Sequence, residues 1–436
     1  MELEKFKEKN KKKTGIIIFT ICCILLIAGV YLYSSFAIYE QNQNFNIING
    51  TVEDPGDVYF SFYVDGVISK TMPTKDSGYT LDTTASYCTN GASPILNTDD
   101  WSVSVNNLTV TNTKCTLYFV KGVVGQIIDQ LDKTGACPTV NEDGTVEATS
   151  DTSTNGYLCS APDDYGTSYY YRGNVTNNYV KFGDYYWRII RINGDGSIRM
   201  IYDGTSAHAN GESSADRQIG TSVYNTYDDD SHSTYVGYMY GEESTIYEEI
   251  HANTHDSTVK TYLDTWYKTN IEEKNLSNYI SDTLFCNDRS ITQEAGTSNT
   301  YFRWFYGLWS STGKQYPRLT CAEQNDRFTV NDEVIGNGDL TYPISLITAD
   351  EVALAGGYID IDNSQYYLYT GNDYWTISPY GFNLSSIDVI GTYADGEIGY
   401  IPTTDSNIGV RPIINLKADS LKVGSGTMDD PWRIAD

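Results

Sequence analysis

The sequence predicts an α+β protein in which strands dominate. Runs such as "VYFSFYV", "CTLYFV" and "YYWRIIRI" hold apolar and aromatic residues at strand spacing and end at turn residues. Helical spacing is confined to a few short stretches. Tyrosine fills 38 of 436 positions, and with abundant Ser, Thr, Asn and Gly it suits short strands on an exported protein.

Residues 1–14 form a basic tail, with six lysines and three glutamates in the first 13 positions. The next 19 residues, Gly15 to Tyr33, carry no charge. A helix of that length rises about 1.5 Å per residue and reaches across a hydrocarbon core, so residues 15–36 read as a retained transmembrane signal-anchor. The lysine flank places the N-terminus inside, the tail in the cytoplasm and the bulk of the chain outside a bacterial cell membrane. A cleaved signal peptide ending at the small residues Ser35 and Ala37 is the alternative.

Residues 37–50 are a polar stalk. Residues 51–120 read as a small β-sandwich, whose first hairpin turns at Asp65-Gly66, a dipeptide suited to a type I′ turn. Residues 121–156 connect it onward. Val124, Ile127, Ile128 and Leu131 have helical spacing there, Gly135 is the stop, and "NEDGT" is a hairpin turn.

Residues 157–436 make the larger domain. "YYYRG", "NYVKF" and "YYWRIIRINGDGSIRMIYDG" are successive strands, the last pair turning at "NGDGS". Val259, Tyr262, Leu263, Trp266 and Tyr267 form one stripe of a helix that Asp256 caps. "TADEVALAGG" opens on a Thr348–Glu351 capping box and ends at Gly356 and Gly357. A loop-rich run then extends to Tyr400, followed by "GVRPIINL" and "GSGTMDDPWRI".

Outside the first 13 residues the formal charge is −31. Such a surface repels nucleic acid and anionic lipid, which excludes both as partners beyond the anchor itself. Extracellular solubility is the favoured reading of this charge, a calcium-loaded surface the alternative, and "YDDD" at 227–230 is a solvated loop. Six cysteines stand outside the apolar run and allow 15 pairings. Nearest neighbours give Cys88 with Cys115, Cys137 with Cys159, and Cys286 with Cys321, as expected of an extracellular disulfide framework.

Chemistry is poorly represented. His251 and His255 lie in "HANTH", which lacks the glutamate of a zinc-protease helix, and read as a loop pair with no metal. Bridged cysteines leave no thiol nucleophile, and nucleophile-elbow, phosphate-loop and dinucleotide fingerprints are missing from the sequence. "CNDR" and "CAEQNDR" suggest that Asp288 and Asp326 hold Arg289 and Arg327 beside a bridge. By contrast, "YWTISPYGFNLSS" sets large rings among small polar residues without an acid, base or thiol, a composition for gripping a ligand.

At "YYWRIIRINGDGSIRMIY", "LITADEVALAGG", "YWTISPY" and "GVRPIINL" the chain resembles exported, membrane-anchored surface proteins of gut Firmicutes. Their C-terminal domain is C-type-lectin-like and similar to the sulfatase-modifying (formylglycine-generating) fold. The resemblance covers residues 157–434, and "SYCTNGA" to "TKCTLYF" resembles a common upstream companion unit. It implies a twisted β core, two flanking helices and an irregular loop face. The formylglycine-generating enzymes use reactive cysteines late in the domain, and this chain has none after Cys321. Iron-dependent relatives need a histidine cluster that is also missing, so the resemblance implies binding rather than catalysis.

The function expected is that of an adhesin-like cell-surface protein recognising an extracellular glycan or protein. Tyr380, Phe382, Asn383, Tyr393 and Tyr400 are the expected ligand contacts, with Trp375 and Arg411 supporting the loop. Related folds carry diversified receptor loops, and residues 380–400 have a suitable composition. A structural cell-envelope protein is the second reading and an envelope-bound hydrolase the third. No cofactor is expected, and the sequence carries no signal for an oligomeric state.

Overall fold

The computed structural model describes residues 58–435 apart from 98–99, 110–111, 149–154, 227–232, 245, 295–298, 303–315, 360 and 384–385. The expected tail, anchor and stalk, and "YDDD", lie outside the described residues. Among the described residues the protein is β-rich with few helices, in keeping with an α+β class. The described residues divide into two compact units, one within Met1–Ser61 and Thr83–Leu117, the other within Phe62–Asp82 and Tyr118–Asp436.

Strands β1 (Tyr59–Val64) and β2 (Val67–Ser69) form a hairpin. Asp65 and Gly66 both take positive φ, 49° and 77°, as a type I′ turn requires. Strands β3 (Tyr79–Leu81), β4 (Tyr87–Cys88) and β7 (Lys114–Lys121) complete that sheet in the order β2-β1-β7-β3, with β4 on β7. Cys88 and Cys115 are direct cross-strand partners and are bridged. Strands β5 (Ser93–Asn97) and β6 (Ser102–Asn106) form a separate hairpin, with Val103 and Val105 of β6 buried.

Helix α1 (Val123–Ile128) buries Val124 and Ile127 but stops well short of Gly135. Leu131 leaves the helix to bridge Leu158, and the Asp132 amide donates to the Leu158 carbonyl at 2.9 Å. A strand edge that needs partners thus wins over continued helical spacing. Cys137–Cys159 closes the small hairpin in which Val140 faces Val146.

The chain continues through β8 (Gly156–Asp163), β9 (Gly166–Gly173), β10 (Tyr179–Phe182), β11 (Tyr185–Ile192) and β12 (Ile198–Gly204). Then follow β13 (Met239–Tyr240), α2 (Tyr247–Ile250), β14 (His255–Asp256), α3 (Thr258–Tyr267), β15 (Phe285–Cys286), β16 (Ile291–Glu294), β17 (Asn299–Phe302) and β18 (Arg327–Phe328). Helix α4 (Ala349–Ala355) precedes β19 (Tyr374–Asn383), β20 (Ser386–Thr392), β21 (Ile398–Pro402), β22 (Ile413–Leu416) and β23 (Trp432–Arg433).

Two sheets organise the larger unit. The first runs β22-β12-β11-β10-β23, with β9 on β11 and β8 on β9. Every residue of β12 is buried, so this strand is covered on both faces. The second sheet runs β16-β17-β19-β20-β21. It overturns the expected loop-rich run, because Tyr374 to Tyr400 is mostly strand. Shifts of register around Pro379 let that proline sit in a paired strand.

Helix α3 is capped by Ser257, whose hydroxyl accepts from the Lys260 amide, and not by Asp256. Asp256 belongs to β14, and its carboxylate instead lies 3.1 Å from Lys260 Nζ. Val259, Leu263 and Tyr267 are buried, and Trp266 packs edge-on to Trp187 and Tyr202 at 6.1 and 6.0 Å. The capping box of α4 forms as the sequence indicates, with Gly356 at φ 122° ending the helix.

Candidate functional site

Strand pairing fixes where the expected ligand contacts fall. Tyr380 on β19 and Tyr400 on β21 stack with ring centroids 4.7 Å apart and planes 14° from parallel. Tyr400 is 53% exposed. The Tyr393 hydroxyl donates to the Tyr400 carbonyl at 2.8 Å, tying the chain just after β20 to the middle of β21. Phe382 and Asn383 lie at the end of β19, paired through their backbones with Thr300 and Asn299 of β17.

Trp375 and Arg411 are fully buried and belong to the core. Trp375 donates through Nε1 to the Ser222 carbonyl at 2.8 Å. Arg411 lies over the Tyr374 ring at 4.8 Å and donates to the Tyr202 and Leu368 carbonyls. Its Nη2 also reaches Asp203 at 3.2 Å. Asp203 receives Arg217 as well, at 2.7 Å, and Arg188 approaches its second oxygen to 4.0 Å. All four side chains are shut away from water.

A second arginine cluster grows from the register of β11 and β12, which sets Arg191 directly opposite Arg199. Like charges in that position repel. Glu351, third residue of α4, lies between them at 2.9 Å from Arg191 Nε and 2.8 Å from Arg199 Nη1. Burial alone would raise the Glu351 carboxyl, but the two guanidinium groups hold it down to about 2. Asp163 completes the cluster, 2.7 Å from Arg191.

This cluster is the floor of a cleft whose walls include Asp164, Asp288, Arg318, Thr320, Asp350 and Ser378. Here the ion pairs differ from those expected of "CNDR" and "CAEQNDR". Asp326 takes Arg289 at 2.6 Å, while Asp288 takes Arg318, also at 2.6 Å. Arg327 donates to the Cys321 carbonyl at 2.7 Å and faces Asp164 at 3.4 Å. The Cys286–Cys321 bridge forms beside them.

The histidines divide sharply. His251 is buried and desolvation pushes it down to about 3, whereas its motif partner His255 is exposed on β14. Buried His208 is held between Glu212 Oε1 at 2.9 Å and Asp216 Oδ1 at 2.8 Å. Burial opposes its charged form, but the two carboxylates outweigh it and raise its affinity for a proton.

A raised histidine adds stability that is fully present below its unfolded value, about 6.5, and lost as pH rises through the higher folded value. His251 has the opposite slope: its contribution is present above about 6.5 and is lost as pH falls toward 3. The urea midpoint is therefore expected to fall from neutral to mildly alkaline pH. His208→Asn should flatten that limb and leave the acidic limb in place; an unchanged alkaline slope would show that the two contacts do not charge His208.

Among the described residues, Asp362, Asp395 and Glu397 bring one oxygen each within 4.8 Å of one another. Asp395 already accepts from the Glu397 amide at 3.0 Å, as in an ordinary turn. Neither His251 nor His255 joins a metal-ligand cluster among those residues. Sequence reading missed both arginine clusters. Their signal was visible in "YYWRIIRI" and "SIRMI", where arginines interrupt otherwise apolar strands and so demand buried carboxylates. Comparisons with known protein families, curated proteins and solved structures find no match for this chain.

Proposed function

We propose that this chain is an adhesin-like cell-surface binding protein, anchored through residues 15–36 and recognising a glycan with the tyrosine face of its larger unit. The observation that carries the reading is the Tyr380–Tyr400 stack, half-exposed at Tyr400 and braced by Tyr393. A rigid aromatic surface stacks against the apolar face of a sugar ring at little entropic cost. Three disulfides are consistent with an extracellular protein, and the acidic charge disfavours anionic ligands. The C-type-lectin-like assignment of residues 157–436 belongs to the same proposal and rests on the motif resemblance.

The test is binding of the full chain to immobilised neutral glycans, mucins and cell-wall fragments. Tyr400→Ala is expected to weaken binding at least tenfold, about 1.4 kcal/mol. The exposed site predicts little loss of stability, within about 0.5 kcal/mol plus the small stacking contribution. Binding that survives Tyr400→Ala unchanged would remove the tyrosine face from the ligand site. Failure to bind any surface, with self-association of the chain, would favour the structural envelope role.

A further inference from the structure

The polar cleft at the foot of α4 has donors it does not use. Arg318 is the clearest case. Its Nη2 is taken by Asp288 at 2.6 Å, but its Nε is buried without an acceptor. About a fifth of the side chain, 22%, remains open to solvent. A guanidinium has five N–H groups in a fixed fork, so most of this one's capacity is unspent.

The facing groups narrow what fits. Asp163 and Glu351 are saturated by Arg191 and Arg199. Asp164 accepts from the Cys321 amide at 2.9 Å and faces Arg327 at 3.4 Å, yet burial pushes its carboxyl up, so a further donor would offset part of that desolvation. Among the described residues the lining holds five carboxylates against three guanidinium groups, which disfavours an anion. An ammonium group, for its part, would leave Arg318 without an acceptor.

A group that both accepts and donates meets these demands, and a hydroxyl does so in the smallest volume. Ser378 lines the cleft and lies two residues before Tyr380 on β19, about 7 Å along a strand.

We propose that this cleft is a second subsite of the binding surface, holding hydroxyl groups of a neutral sugar between Arg318 and Asp164. The choice of sugar rests on the glycan reading of the tyrosine face; the demand for a neutral donor–acceptor group rests on the cleft alone. Backbone or side-chain amides meet the same demand, and they serve as the competing probe.

The experiment measures binding of lactose, chitobiose and mannobiose to the full chain by ligand-observed NMR, beside digalacturonate and N-acetylasparagine amide. At least one neutral disaccharide is expected to bind. Arg318→Lys, which keeps a cation for Asp288 but loses the fork, should weaken it at least tenfold with an unchanged melting temperature. Arg318→Gln, neutral and still a donor, serves if the lysine variant is unstable, with the same expected loss.

Loss of binding in Tyr400→Ala with none in the Arg318 variants would overturn the subsite and keep the tyrosine face. Loss in the Arg318 variants alone would keep the subsite and sink the tyrosine reading. Preference for digalacturonate or the amide, or no binding by any neutral disaccharide, overturns the proposal.

Discussion

Asp203→Asn is expected to destabilise the larger unit by roughly 3–5 kcal/mol, the cost of removing one partner from a buried ion cluster. Asp203 is the carboxylate that Arg217 and Arg411 share, with Arg188 at 4.0 Å, and none of the four side chains touches water. Burial already pushes the Arg188 and Arg411 guanidinium groups below their usual range. Asparagine preserves the shape but leaves the positive charges uncompensated.

Urea denaturation should show a lower midpoint at an unchanged slope. Adding Arg217→Met should recover part of the loss, because it deletes a stranded charge. A midpoint unchanged in Asp203→Asn would mean that the carbonyls of Val175, Tyr202, Glu212 and Leu368 suffice for these arginines.

The second large effect is expected at Glu351. Glu351→Gln keeps an acceptor for the start of α4 but takes the charge from between Arg191 and Arg199, which face each other across β11 and β12. A loss of roughly 3–5 kcal/mol is expected here too. Thr348→Ala, which breaks the capping box and leaves the charge, should cost only about 1 kcal/mol. Since the folded Glu351 carboxyl is depressed to about 2, its contribution is present above the unfolded value of about 4.3 and is lost as pH falls toward 2. If the two variants lose equal stability, the cap and not the charge is the main role of Glu351.

What the sequence made legible was local. Asp65-Gly66, "NGDGS", the Thr348–Glu351 box and the neighbouring cysteine pairs each depend on residues close in the chain or on a fixed dihedral preference. The misreadings share a cause. Tyr374 to Tyr400 looks like a loop because Gly, Ser, Asn and Pro interrupt it, yet β17 and β21 supply the hydrogen bonds that make it strand. Asp288 and Arg327 took distant partners, Arg318 and Asp164, over their adjacent ones. Asp256 yielded the cap to Ser257 because pairing with Met239 drew it into β14.

The candidate site followed the same rule. The sequence signalled a cluster of rings, and Tyr380, Tyr393 and Tyr400 do come together. Trp375 and Arg411 were expected beneath the loop; what the sequence could not show is what they touch there, since Ser222 and Tyr202 reach them from far along the chain.

The seven-stranded sheet also sets the order in which the protein can fold. Strands β12 and β10 are completed by β22 and β23, which come from the far C-terminal part of the sequence. A chain made from its N-terminal end presents β10, β11 and β12 long before those partners emerge. Through that interval both flanks of the nascent sheet carry unpaired amides and carbonyls, open to any neighbouring extended segment. Loop closure over such separations is slow, so the sheet's completion waits on β22 and β23 rather than on the local turns that form at once.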